Sequence, residues 1–192
     1  MKELKFIHIT KCAGTTIENL GKEKKIKWGM FHSKEYGHHH QPFSKKPLEL
    51  KQKYDWFMVV RNPYTRLVSE FYCLWGGYRG KHDRLNEKQF NEFIKKRVLS
   101  RNKNDRYHYV EQNKYLDKSS KIHVIKFENL EEEFNALMEK YGLDIKMNRH
   151  DNASKKKKRK FSIESFTPEV IQLINKAYAK DFKKFGYEMI EV

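Results

Sequence analysis

Short apolar runs alternate with amphipathic stretches along most of this chain. Leu4 to Ile9 (LKFIHI) and Asp55 to Val60 (DWFMVV) are short, mainly apolar runs of strand length, the pattern of buried strands. Lys121 to Phe127 (KIHVIKF) alternates and predicts a further strand, and Lys27 to Phe31 is a candidate for one more. A helix-like stretch follows the polar turn Thr10 to Thr16 and runs through Leu20. Asn62 and Pro63 form a helix start, with Asn as cap and Pro in the first position. Tyr64, Leu67, Val68, Phe71, Leu74 and Trp75 then recur at helical spacing, up to a stop at Gly76 and Gly77. Phe90 to Val98, Tyr109 to Leu116 and Leu130 to Tyr141 predict further helices. A last one is capped by Thr167, opened by Pro168 and lined by Val170 through Phe185 before Gly186. His32 to Leu50, rich in His, Lys, Gly and Pro, and Lys155 to Lys160 (KKKKRK) have loop chemistry. Strands alternating with helices predict an α/β fold with a mostly parallel sheet.

Composition narrows this picture. With 192 residues the chain suits a single domain, 1–192. Its 27 aromatic residues (13 Phe, 11 Tyr, 3 Trp) exclude whole-chain disorder despite a mean hydropathy of -0.94. Cys12 and Cys73, the two cysteines, form neither a disulfide framework nor a zinc spacing. No apolar run reaches the length of a membrane span, and no signal peptide precedes Leu4, so the expected setting is soluble and cytoplasmic. The 41 Lys and Arg against 25 Asp and Glu give a formal charge of +16, which points to an anionic partner.

Two segments carry candidate chemistry. Lys11 to Thr16 (KCAGTT) lies between a strand and a helix, where backbone N–H groups surround an anion. It lacks the Walker A pattern but supplies a cation, a Gly for close backbone approach and two hydroxyls. An ordinary strand-to-helix turn would carry the same residue types. Arg61 leaves the carboxyl end of a buried strand, where α/β sheets place ligands, and its fork suits phosphate. Ser69 follows two helical turns later and could share that anion, although a capped helix with a surface Arg would read the same way.

Taken together these segments resemble the sulfotransferases that use 3′-phosphoadenosine 5′-phosphosulfate, and most closely their carbohydrate-type (family 2) branch. His8-Ile9-Thr10-Lys11-Cys12-Ala13-Gly14-Thr15-Thr16 is similar to that family's HIPKTAGTT, and Val60 to Phe71 (VRNPYTRLVSEF) to its VRNPYDRLVSEF. Phe127 to Leu130 and Tyr178 to Tyr187 (YAKDFKKFGY) continue the likeness over nearly the whole chain. Thr10 stands for the usual Pro, and Cys12 for the usual Thr or Ser, which removes one hydroxyl from the phosphate contacts.

The resemblance implies a P-loop-like three-layer fold, a central mostly parallel β-sheet flanked by helices. It implies that Lys11, Cys12, Ala13, Gly14, Thr15 and Thr16 bind the 5′-phosphosulfate, and that Arg61 and Ser69 bind the 3′-phosphate. The reaction is then an in-line attack on sulfur by an acceptor hydroxyl, with a carbohydrate as the leading acceptor class. Lys11 would stabilise charge on the leaving oxygen, no metal is required, and 3′-phosphoadenosine 5′-phosphate is the product. The family's base comes from between the two signatures, which points to His38 first, His40 next and His32 as runner-up. His8, His82, His108, His123 and His150 have no comparable argument. The Lys155 to Lys160 block reads as a solvated loop, a nucleic-acid patch or a flap over the nucleotide. A non-enzymatic polyanion-binding or nucleic-acid-binding module is the competing class, and it gives no reason for the two signatures to occur together. A nucleotide kinase is disfavoured by the missing Walker A loop and Mg²⁺ carboxylates.

Overall fold

The computed structural model describes residues 2–28, 40–101, 107–148 and 159–192. In chain order these form β1 (Leu4–Ile7), α1 (Gly14–Glu23), α2 (Leu48–Lys53), β2 (Asp55–Val60), α3 (Pro63–Phe71) and α4 (Glu87–Leu99). They continue with β3 (Ile122–Lys126), α5 (Leu130–Lys140), α6 (Pro168–Ala177) and α7 (Ala179–Phe185). The chain divides into two compact units, Met1–Arg61 with Lys114–Lys155, and Asn62–Asn113 with Lys156–Val192.

The first unit holds a parallel sheet of order β1-β2-β3. Every residue of β2 is buried, as its unbroken apolar run requires for a central strand. Neighbouring residues of β2 point to opposite faces and recruit different partners. Phe57 packs on Phe6 (4.9 Å), Trp28 (5.2 Å) and Phe134 of α5 (6.1 Å), and Trp28 donates its indole N–H to the Ile17 carbonyl of α1. Trp56 instead packs on Phe43 (4.8 Å) and donates to the Lys51 carbonyl of α2. Both faces of the sheet are therefore covered by helices, the α/β three-layer arrangement the sequence predicts. Lys5 would be an odd residue in a buried strand, but its ammonium reaches the Lys27 carbonyl (2.8 Å) and the Glu3 carboxylate (2.5 Å). The candidate strand at Lys27 to Phe31 is not found at Lys27 and Trp28, although the Trp28 carbonyl accepts the Phe6 N–H; its other residues lie outside the described ones.

The second unit is helical. Phe71 is fully buried with Phe90 (4.8 Å) and Phe161 (5.7 Å) around it, and Phe90 and Phe161 stack face to face. The expected cap at Asn62 forms, its side chain accepting from the Tyr64 N–H at 2.9 Å. The helix it opens is shorter than the spacing suggests. α3 stops at Phe71 because the Phe71 carbonyl takes the Tyr78 N–H instead, and Leu74 and Trp75 are exposed at 83% and 72%. Gly77 permits that turn, since a Cβ there would lie 2.3 Å from the Phe71 carbonyl. The last predicted helix is two, broken at Tyr178, whose hydroxyl is drawn to the Tyr109 carbonyl (2.8 Å). Thr167 makes no side-chain cap; its own N–H donates to buried Asn91. Tyr109 to Leu116 is not a helix but holds a single 3-10 turn, Gln112–Tyr115. Buried Asp181 of α7 accepts the Gln112 and Asn113 N–H groups at its start.

No helix among the described residues is long and apolar enough to cross a membrane. Replacing Asn62 by Ala should cost about 1 kcal/mol through the lost cap. Urea unfolding checks this: the midpoint falls and the slope stays constant.

Candidate functional site

β1 ends at Ile7, and the chain turns through His8 to Ala13 into α1. Two residues of that turn, Lys11 and Ala13, have φ of 59°, a left-handed conformation that costs a residue with a Cβ about 1–3 kcal/mol. Left-handed residues alternating with an ordinary one are the backbone pattern from which anion nests are built. Ala13 offers α1 no side-chain cap. A helix start of this kind presents N–H donors and a positive dipole end to whatever lies before it. Thr16 is buried in the first turn and Thr15 is exposed. Gly14 is obligatory, since a Cβ would lie 1.8 Å from His8 Nε2.

Arg61 follows the last residue of β2. Its Nη1 donates to the Lys11 carbonyl at 3.3 Å, and its guanidinium lies 4.1 Å from the ring centroid of Phe127, just past β3. Carboxyl ends of all three strands thus meet at one place within one unit. His40 joins them, with Nδ1 3.1 Å from the His8 carbonyl and its ring edge-on to the His8 ring at 4.7 Å. On its other side, His8 Nδ1 stands 3.8 Å from a Glu18 carboxylate oxygen. The His40 arm is tied down at several points. Tyr115 donates its hydroxyl to the His40 carbonyl (2.7 Å), and buried Lys51 holds both the Ser44 carbonyl (3.0 Å) and Asp117 (2.6 Å). Hydrogen bonds from Lys51 and Ser119 pull the Asp117 carboxyl down to about 2. Burial in the same arm lowers the Lys46 ammonium to about 8.

The family model described as "Sulfotransferase family" matches residues 2–188, almost the full chain. The protein belongs to the sulfotransferase family. No curated protein and no solved structure matches it. Membership makes it a transferase of sulfuryl groups, which implies a sulfate donor and a hydroxyl acceptor.

In this sulfotransferase the residues singled out from sequence fall into three groups. Lys11 to Thr16, Arg61 and His40 come together in the first unit, as described. Ser69 is buried on α3 in the second unit. His38, His32 and Lys155 to Lys158 lie outside the described residues. From the rest of the basic block, Arg159 lies over the Tyr72 ring at 5.2 Å and Lys160 donates to the Asp83 carbonyl at 3.0 Å. The signature's second arginine, Arg66, is buried with its Nη atoms on the Val110 and His108 carbonyls. It builds the fold.

His8 is the residue that sequence reasoning passed over. Its signal was its position, the first residue beyond a buried strand and six before an obligatory glycine.

The Lys51–Asp117 bond should make the His40 arm sensitive to acid. The folded-state pKa of Asp117 lies below its ordinary 3.8, so its stabilising effect is present above that value and is lost as pH falls toward 2. Asp117→Asn should flatten the acid limb of stability between pH 4 and 2, measured by thermal melts across that range.

Proposed function

We propose that the chain, as one sulfotransferase domain over 1–192, transfers a sulfuryl group from 3′-phosphoadenosine 5′-phosphosulfate to an acceptor hydroxyl, on a carbohydrate first of all. One observation carries this reading: the paired left-handed residues Lys11 and Ala13 open into α1 while Arg61 is held on the Lys11 carbonyl. A left-handed turn opening into a helix start, with the Arg61 guanidinium against it and Lys11 within it, suits a ligand with several anionic groups.

In this reading the 5′-phosphosulfate lies against Lys11, Gly14, Thr15 and Thr16, flanked by the Cys12 and Ala13 backbone. The 3′-phosphate goes to Arg61, with Ser69 assigned to it by the family likeness. The acceptor oxygen attacks sulfur in line, an S–O bond forms, and the bond from sulfur to the bridging phosphate oxygen breaks. Negative charge grows on that oxygen, where the Lys11 ammonium and the nest donors stabilise it more than they do the ground state. No step calls for a metal.

His40 is the base within the described residues, and His38 keeps its place as the other candidate. A carbonyl has no proton to give, so the contact with the His8 carbonyl fixes a proton on His40 Nδ1. Neutral His40 then has its lone pair on Nε2, ready for the acceptor proton. His8 would position His40, packed between it and Gly14.

Two measurements test this. Saturating 3′-phosphoadenosine 5′-phosphate should raise the melting temperature by roughly 5–10 °C, the shift expected near a hundredfold excess over Kd for a chain of this size. ADP should give a clearly smaller shift, and Arg61→Ala should abolish the difference. Equal stabilisation by ADP, or an unchanged difference in Arg61→Ala, would overturn the 3′-phosphate assignment. In transfer assays with labelled donor and a panel of saccharide and other hydroxyl acceptors, Lys11→Ala should lose about 10²- to 10³-fold in kcat. His40→Ala should lose about 10²- to 10⁴-fold with donor binding retained. A fully active His40→Ala would move the role to His38.

A further inference from the structure

The second unit holds a cluster that sulfuryl transfer does not use. Glu70 sits in the last turn of α3, Cys73 two residues beyond its end, and His108 thirty-five residues further on. All three are buried, and one ligand-type atom from each lies within 4.8 Å of the others. His108 Nδ1 is 2.8 Å from Glu70 Oε2. The same imidazole hydrogen-bonds the Cys73 thiol, and the Trp75 and Gly76 N–H groups are directed at the sulfur as well. Gly76 makes room for this, because a Cβ there would lie 2.4 Å from the His108 ring.

A carboxylate buried without a counter-charge is costly, and an imidazolium beside it offsets that cost. Burial alone would lower the His108 pKa; hydrogen bonds to Cys73 and Glu70 outweigh it and bring it up to about 9. For Cys73, burial and the Glu70 charge push the thiol up, and the donors around the sulfur outweigh them, so the net shift is downward. A base orienting a cysteine, itself oriented by a carboxylate, is the arrangement that activates a sulfur nucleophile.

We propose that Cys73 is a nucleophilic thiolate, assembled by His108 and Glu70, that is reversibly oxidised by hydroperoxide. Cys73 is 9% exposed, which admits small reagents to the sulfur and keeps macromolecules from it. The thiolate attacks one peroxide oxygen, an S–O bond forms and the O–O bond breaks. Sulfur loses two electrons and peroxide gains them. The departing hydroxide takes the His108 proton and leaves as water, with Cys73 as the sulfenic acid. One low-molecular-weight thiol then displaces water to give a mixed disulfide, and a second releases Cys73 reduced. A metal ion would have to replace the donors already on the sulfur and the Glu70 contact of His108.

The full chain, treated with dilute hydrogen peroxide at pH 7 and trapped with dimedone, tests the proposal by peptide mass spectrometry. Cys73 should be labelled about tenfold or more faster than the thiol of an unstructured peptide. Fully buried Cys12 serves as the internal comparison. His108→Gln should lower the Cys73 rate about tenfold, and Glu70→Gln should lower it less. Labelling no faster than the free peptide, or an unchanged rate in folded His108→Gln, overturns the proposal. So does stoichiometric zinc in the purified chain that Cys73→Ser removes, which would make the cluster a metal site. Should His108→Gln not fold, thiolate absorbance near 240 nm in Cys12→Ser decides. A titration midpoint clearly below the ordinary value of about 8.5 supports the thiolate, and one at or above it refutes it.

Discussion

The register of the parallel sheet is the constraint on which the candidate site depends. Ile7 pairs with Met58 and Val60 with Lys126, so β2 and β3 end level with each other, while β1 leaves the sheet two residues earlier into the turn that runs on to Lys11. That register brings Arg61 beside Phe127 on one side and beside the turn through Lys11 on the other, which is where its ring contact and its carbonyl bond are found. A one-residue slip of β2 would send Phe57 and Trp56 to each other's faces and lose both aromatic layers. The packing that fixes the core therefore also fixes the position of the cation. Register errors are excluded by burial on both faces, long before any ligand is bound.

The turn beyond β1 is held in a conformation that its residues do not favour by themselves. Lys11 and Ala13 are left-handed without being glycine, and the surroundings must compensate for that. Contacts that hold the turn are the Arg61 bond to the Lys11 carbonyl, the His8 ring seated on Gly14, and His40 against the His8 carbonyl. His40 in turn depends on Tyr115, and its arm depends on Lys51 and Asp117. If the turn holds the donor as proposed, a backbone fixed in this way is preorganised, and its donors need not be gathered when the ligand arrives.

How much of this was legible in the sequence follows from the range of the interactions involved. β2 and the Asn62 cap were legible because burial on both faces and an Asn-Pro start are local facts. The two signatures were legible because each is one contiguous string. The early end of α3 was not, because it is set by a carbonyl competing for the Tyr78 N–H, which leaves Leu74 and Trp75 in solvent. The break at Tyr178 answers to Tyr109, 69 residues away. His8 acquires its place only when the turn closes on Gly14. Glu70 and Cys73 meet their partner only through His108, 38 residues beyond Glu70.

The same distinction corrects how the charge of +16 should be read. A cation within a signature is not thereby an anion ligand, as Arg66 demonstrates: both its Nη atoms are satisfied by backbone carbonyls in the interior. Lys5 and Lys51 are likewise engaged by partners within the fold. Arg61 occupies the opposite situation, half-exposed at the strand ends with one Nη on a carbonyl and its face on a ring. Those contacts orient the guanidinium where the strands end. In the proposed reading, a cation held in one orientation discriminates among anions by geometry. Net charge can draw any polyanion toward the surface, whereas the choice of ligand rests with the few cations whose position the fold fixes.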